Sequence, residues 1–270
     1  MDYDPVKDKF GRMVKGKYWP TRIFFAMLHL FFLRAWYVRK AIHSVLKSKV
    51  GSVRMLDAGT GFGQFAYWVA SKYPKVRIHA VDIKQTYLDR AKSFTLQAGF
   101  DTRITYSVDD LTKLQASGPY DLVLSVDVME HIEEDEKVFH NFFRVLRAGG
   151  VVIINTPSDQ GGSDVTKAGD SGFIGEHVRD GYSVEDISLK LTSAGFVIDQ
   201  ISFGYGVFGS IAWKISIKWP MLLLNTSFLF ALFLPFYYLI ILPSALILNA
   251  LDISLKNDTG TGLTVVAHRP

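Results

Sequence analysis

The sequence contains no cysteine, which excludes disulfide staples and thiolate metal sites. Prolines number only nine, and two of them, Pro235 and Pro243, fall in one apolar stretch where they are expected to break or kink a helix. Charge is absent altogether from Trp219 to Leu251. A secretory leader is not expected: Met1 to Lys9 is polar, and no small-residue cleavage site follows the apolar run Ile23 to Leu33. That run is also too short for a bilayer, which takes about 20 residues.

What is present is apolar and unevenly placed. The 270 residues suffice for one large domain, or for a domain with a small appendage. Hydrophobic residues make up 49% and aromatics 14%, and the excess lies near the N-terminus and from Val207 to Leu255. Residues 1–50 hold eleven Lys and Arg against three Asp, whereas the whole chain is only +4, so the remainder is acidic on balance. Basic residues interleaved with Phe, Leu and Ile predict a membrane surface as partner rather than nucleic acid. Residues 20–48 read as one helix, either capping a ligand cleft or lying in a membrane interface, with Pro20 and Thr21 at its start and cations in its later half.

The chain is organised around Met55-Leu56-Asp57-Ala58-Gly59-Thr60-Gly61-Phe62-Gly63-Gln64, an apolar strand running through a glycine turn into a helix. Bare glycine backbone beside a helix N-terminus suits a nucleotide-like ligand. After a second strand comes Asp82, about 20 residues beyond the glycines, where a carboxylate can accept both hydroxyls of a ribose. Strands near 53–57, 77–82, 103–108, 120–126 and 150–155 alternate with helices near 62–72, 84–98 and 132–147, which predicts a parallel sheet covered on both faces. Asp57, Asp82, Asp110 and Asp127 then fall at or near carboxyl ends of strands, where open α/β sheets bind ligands.

The motif Asp57-x-Gly59-x-Gly61-x-Gly63, the acid Asp82, and the runs Asp109-Asp110-Leu111, Tyr120 to Ile132 and Arg144 to Gly150 resemble the class I S-adenosylmethionine-dependent methyltransferases. The resemblance covers roughly residues 50–206 plus the last few, and is greatest to the small-molecule, quinone-biosynthesis type. It implies a Rossmann-like α/β sheet of seven strands in the order 3-2-1-4-5-7-6, with strand 7, Gly262 to Pro270, antiparallel. Four segments are expected: an N-terminal helical segment 1–50, a catalytic domain 51–206, a hydrophobic membrane-associating insertion 207–258, and the final strand in 259–270. S-adenosylmethionine is the implied co-substrate, held by Asp57, Gly59, Gly61, Gly63, Asp82, Ile83, Asp110, Leu111 and Val126. For Asp110 the role would be to accept from the adenine amine; Asp109 is the alternative, and helix capping explains either residue equally.

Asp127, Glu130 and His131 would share one face if a helix begins there. They are read as a divalent metal site, as a base (His131) oriented by Glu130, or as helix-start packing; no metal is assigned. His177 is a second candidate base, and Arg179 and Tyr182 are candidates for holding an acceptor head group, against a reading in which their loop only braces the next helix. Because strand 7 must return to the sheet, the insertion is expected to be a pair of short helices dipping into one leaflet, with Trp213, Lys214, Lys218 and Trp219 at headgroup level. A soluble dimer interface or a buried lid is the alternative. The expected activity is methylation of a lipophilic, membrane-derived acceptor at a cytoplasmic face, with oxygen favoured as the methylated atom. A silent S-adenosylmethionine-binding scaffold, a methyltransferase for a water-soluble molecule, and more distantly a nicotinamide oxidoreductase are the alternatives.

Overall fold

The computed structural model describes residues 18–47, 49–161 and 178–270. In chain order the elements are α1 (Tyr18–Phe31), α2 (Leu33–Leu46), β1 (Val53–Ala58), α3 (Gln64–Lys72), β2 (Val76–Asp82), α4 (Gln85–Gln97) and β3 (Ile104–Val108). They continue with β4 (Tyr120–Val126), α5 (Asp135–Val145), β5 (Leu146–Pro157), α6 (Val184–Ser193), β6 (Val197–Gly204), α7 (Val207–Trp213), α8 (Trp219–Thr226), α9 (Leu234–Ser254) and β7 (Gly262–His268). The seven strands form one sheet in the order β3-β2-β1-β4-β5-β7-β6. β7 runs antiparallel to both of its neighbours, and the remaining pairs are parallel, as expected.

Alternation along the strands sends apolar side chains to both faces, so two cores form. Met55, Ile78, Leu122 and Ile153 pack under α2 and α3. Leu56, Val81, Val123 and Ile154 pack under α5 and α6, with Phe139, Phe142 and Leu191. α2 is therefore part of the sheet's own core: eight of its residues, from Leu33 to Leu46, are buried.

The N-terminal segment departs from the single helix expected over 20–48. Phe32 takes an extended conformation (φ −90°, ψ 111°) and splits it into α1 and α2, which meet at 90°. The break separates two burial demands. α2 faces the sheet, whereas α1 leaves Trp19, Ile23, Met27 and Leu30 exposed.

The insertion is likewise not a pair of short helices. A π-turn at Lys214–Lys218 joins α7 to α8, giving a continuous helical stretch over 207–226, and α9 returns over 21 residues. Both stretches are long and apolar enough to cross a membrane. Pro235 stands in the first turn of α9, where its missing N–H costs nothing, and Pro243 is carried inside the helix. A π-turn disturbs the regular carbonyl ladder. Here the hydroxyls of Tyr237 and Tyr238 on α9 donate to the Ile215 and Ser216 carbonyls, at 2.6 and 2.7 Å.

The hairpin is anchored at its base. Asp252, fully buried, accepts from the Gly209 N–H at 2.8 Å and from the Tyr37 hydroxyl at 2.9 Å, tying α9 to α7 and α2. Gly209 approaches so closely that an added Cβ would lie 2.4 Å from Leu33 Cδ2.

Candidate functional site

The site lies along the edge where β1, β2, β3 and β4 end. β1 runs into the glycine turn, whose Gly59 and Thr60 N–H groups both donate to the Val81 carbonyl at 2.9 Å. Gly59 has φ +79°, and a Cβ there would lie 2.3 Å from Val128 Cγ2, so both conformation and space require glycine. Gly61 has φ +55° and open space where its side chain would be. Gly63, also left-handed, begins α3.

Asp57 is buried beneath this turn and accepts from the Thr60 hydroxyl at 2.6 Å. Burial, with the Asp82 charge adding to it, raises its pKa to about 6, while Thr60 and the Ala66 backbone pull the other way. Its visible work is to brace the turn from below. Asp82 accepts from the Gly61 N–H at 2.8 Å and the Lys84 N–H at 2.9 Å, one on each oxygen. A carboxylate has about four acceptor sites, so capacity for two further donors remains. Beside it Ile83 is 67% exposed, an apolar side chain at the cleft rim that a planar ring can cover.

The two acids after β3 divide their roles. Asp109 is buried and accepts from the Gln115 and Ala116 N–H groups, which consumes it inside the turn. Asp110 caps the turn Leu111–Lys113, and both of its contacts with Thr112, N–H at 2.9 Å and hydroxyl at 2.8 Å, fall on Oδ1. Capping is thus observed for Asp110 alone, and it uses only Oδ1. Leu111 contributes its side chain to the core, and Val126 is half-buried at the end of β4.

Asp127, Glu130 and His131 do not share a helical face. Asp127 has φ +53°, a left-handed conformation rare outside glycine, and Met129–His131 is a single tight 3-10 turn. The Asp127 carboxylate pairs with the Arg34 guanidinium at the start of α2. Glu130 points inward, fully buried, and accepts from the Thr156 hydroxyl at 3.1 Å. Burial first, and then the Asp127 charge, raises its pKa well above the usual carboxylate range. His131 is half-buried on the same turn. Among the described residues no group of three or more His, Asp or Glu is arranged to hold a metal ion.

His177 lies outside the described residues. Arg179 and Tyr182 are both held by Asp135. The buried Asp135 carboxylate pairs with Arg179, accepts from the Tyr182 hydroxyl at 2.5 Å and from Lys190 Nζ at 2.9 Å, and so locks α5, α6 and the intervening loop. Burial and this bond to Asp135 push the Tyr182 phenol far above its usual range.

Two residues were not singled out as site residues from the sequence. Arg34 was visible only as one cation in a basic helix. Tyr205 left no signal; it takes φ +56°, just past β6, and its hydroxyl accepts from the Arg34 N–H at 3.2 Å. Arg34 thereby joins the end of β4 to the base of the helical hairpin.

A glycine turn braced by a buried acid, a second-strand acid beside it, and a sheet of this order make up the Rossmann-like fold of the methyltransferases. Comparison with known proteins agrees: residues 55–150 match the family model described as a methyltransferase domain. Phosphoethanolamine N-methyltransferase 2 of Caenorhabditis elegans is 35% identical over 101 residues, 37% of this chain and 23% of that protein. The ubiquinone biosynthesis O-methyltransferase of Rickettsia canadensis is 25% identical over 150 residues, 55% of this chain and 61% of that protein. The chain thus spans less than two thirds of the length of either relative. In fold, it is similar to Haemonchus contortus phosphoethanolamine N-methyltransferase 2, solved with S-adenosyl-L-methionine, with TM-score 0.55 and 21% identity over 91% of this chain and 59% of that one.

Proposed function

We propose that the chain is an S-adenosylmethionine-dependent methyltransferase, seated on the cytoplasmic face of a membrane, that methylates a lipophilic acceptor drawn from that membrane. Oxygen is favoured over nitrogen as the methylated atom. The carrying observation is the origin of the hairpin. β6 ends and β7 begins at the same edge of the sheet where β1, β2 and β4 end, so the apolar hairpin springs from the ligand-binding edge itself. Its base touches the cleft through Tyr205 and Arg34, which holds Asp127.

The depth of insertion follows from where the charge stops. Lys218 lies over the Trp213 ring at 5.7 Å, and Trp219 is half-exposed, a cation and aromatic band of the kind found at lipid headgroups. Beyond it, the eight residues of α8 advance about 12 Å at 1.5 Å each, against about 15 Å for half a hydrocarbon core. The tip residues Leu229, Leu232, Phe233 and Phe236 are all more than 60% exposed. The inner ends of both long helices touch the base through Gly209, Ala212, Ala245, Asn249 and Asp252, while most of their surface is exposed. Single-leaflet insertion fits this division, and it keeps β7 on the side of the sheet.

The residues present fit the co-substrate. Asp82 would accept from the ribose hydroxyls, Ile83 would cover the adenine face, and Asp110 would accept from its amine beside the Leu111 N–H. Gly59 and Gly61 would offer bare backbone to the amino-acid portion, with Val126 at the floor and Asp57 fixing the turn. S-adenosylmethionine, when bound, supplies an activated methyl group. The chain's own contribution is alignment of the acceptor and removal of its proton. His131 or His177 would take that proton from a hydroxyl.

The reading is tested by incubating the protein with S-adenosylmethionine carrying a labelled methyl and a total lipid extract, then separating and weighing the labelled product. A labelled lipid identifies acceptor and bond together. Co-substrate binding with label only in water-soluble molecules would refute the lipophilic acceptor, and binding without any label would indicate a silent scaffold.

A further inference from the structure

A cavity lies apart from the cleft. It opens between α1, α2 and α3, measures about 360 Å³, and is lined by Arg22, Phe25, His29, Trp36, Arg39 and Trp68 among others. Its walls are aromatic and its charges are of one sign. None of the three helices contains an Asp or Glu, and neither Arg22 nor Arg39 has a carboxylate partner among the described residues. Arg22 lies over the Trp19 ring at 5.1 Å and reaches only the Tyr18 hydroxyl, at 3.4 Å. Arg39 lies over the Trp68 ring at 5.5 Å and makes one long bond to the His29 carbonyl, at 3.4 Å.

A buried polar atom here is left without a partner. Arg39 Nε is inaccessible and makes no hydrogen bond among the described residues, while the buried His29 ring is directed at the Gln64 backbone. Unsatisfied buried donors are uncommon, and two arginines facing one cavity with no counter-charge among the described residues suit an anion. His29 adds no charge of its own near neutrality, because burial and the neighbouring Arg39 lower its pKa to about 4.

The rim decides which anion. α1 turns Trp19, Ile23, Met27 and Leu30 outward along the same helix that supplies Arg22. Phe31 at its end meets Tyr238 of α9 with ring centroids 5.3 Å apart, so this apolar face continues into the hairpin. Cationic pocket and apolar face adjoin as headgroup and acyl chain do.

We propose that this pocket binds the phosphate of an anionic phospholipid in the membrane, between Arg22 and Arg39, with the acyl chains running along the outer face of α1. The proposal rests on the membrane reading above and adds a specific lipid contact to it. The site lies outside the methyl-transfer cleft and serves to hold α1 flat on the surface.

The test compares flotation of the full chain with vesicles of phosphatidylcholine alone and of phosphatidylcholine mixed with phosphatidylglycerol. The chains compared are wild type, Arg22→Gln, the pair Arg22→Gln with Arg39→Gln, and Arg77→Gln as a control for charge at the far end of β2. Each arginine is expected to contribute about fivefold to the preference for mixed vesicles, and the control less than about twofold. A short-chain phosphatidylglycerol below its micelle concentration should also change the fluorescence of wild type, through Trp36 and Trp68, but not that of the pair variant. Arg22 is exposed, so its single variant reads the site even where the pair is destabilised. Binding to both vesicle types with no loss of preference in either variant overturns the headgroup site and leaves the membrane reading standing. Binding to neither overturns both. An equal fluorescence change with inorganic phosphate overturns the assignment to a lipid.

Discussion

Replacing Asp82 by Asn separates the two jobs its carboxylate can do. In the structure it holds the Gly61 and Lys84 N–H groups, at 2.8 and 2.9 Å, and in the proposed complex it also accepts from two ribose hydroxyls. Asn keeps the shape and one acceptor oxygen, but turns the other into a donor facing donors. Hydrogen bonds to a charged group are worth about 1.5–3 kcal/mol each. Losing one and weakening the other predicts about 2–4 kcal/mol, or about 30- to 1,000-fold weaker binding. Titration calorimetry with S-adenosylhomocysteine measures this, and thermal unfolding of the free protein reports what the turn itself loses. The Thr60→Val variant supplies the control, because it removes the 2.6 Å bond to Asp57 and loosens the turn without touching Asp82. Affinity within about threefold of wild type in a folded Asp82→Asn protein would refute the ribose assignment. Equal losses in both variants would move the effect from ribose contact to turn geometry.

Asp135→Asn should destabilise by about 3–5 kcal/mol, since Arg179 and Lys190 lose their shared buried partner, yet leave co-substrate affinity unchanged; a large affinity loss in folded protein would return Arg179 and Tyr182 to the ligand site. His29 has a folded-state pKa near 4 against an ordinary 6.5, so the unfolded chain binds the extra proton between those values. Its contribution to stability is complete above pH 6.5 and is lost as pH falls toward 4, by about 3 kcal/mol, and denaturant titrations of His29→Gln should show a flatter acid limb. Glu130 has the opposite sign: its raised pKa makes stability fall as pH climbs from about 4.5 to 8, and Glu130→Gln should remove that fall. Leu229→Glu with Leu232→Glu, at 81% and 75% exposure, should abolish vesicle binding at unchanged melting temperature; a drop in melting temperature would favour a buried lid.

The core elements were legible because their signals are local. Glycines at 59, 61 and 63 announce a turn whatever packs around them, and the alternating strands and helices leave few topologies for a sheet covered on both faces. Strand ends were found to within a few residues for the same reason. The break at Phe32 was not legible, since nothing in Leu30-Phe31-Phe32-Leu33 is a helix breaker; α2 bends away because its apolar face has a sheet to cover and that of α1 does not. Pro235 and Pro243 misled in the other direction, one becoming a helix start and the other being tolerated inside α9.

By itself, the sequence determined the class of sheet, the turn that can cradle a nucleotide-like ligand, the acids that end its strands, and a long uncharged insertion. The tertiary structure decided which acids are free to meet a ligand. Asp109 is spent on the Gln115 and Ala116 N–H groups, Asp127 on Arg34, and Asp135 gathers Arg179 and Tyr182 from the segment before α6 and Lys190 from α6 itself. The physical reason is that a side chain's chemistry is set by its partners and its burial. Those partners, such as Arg34 and Asp127, 93 residues apart, meet only once the chain has folded.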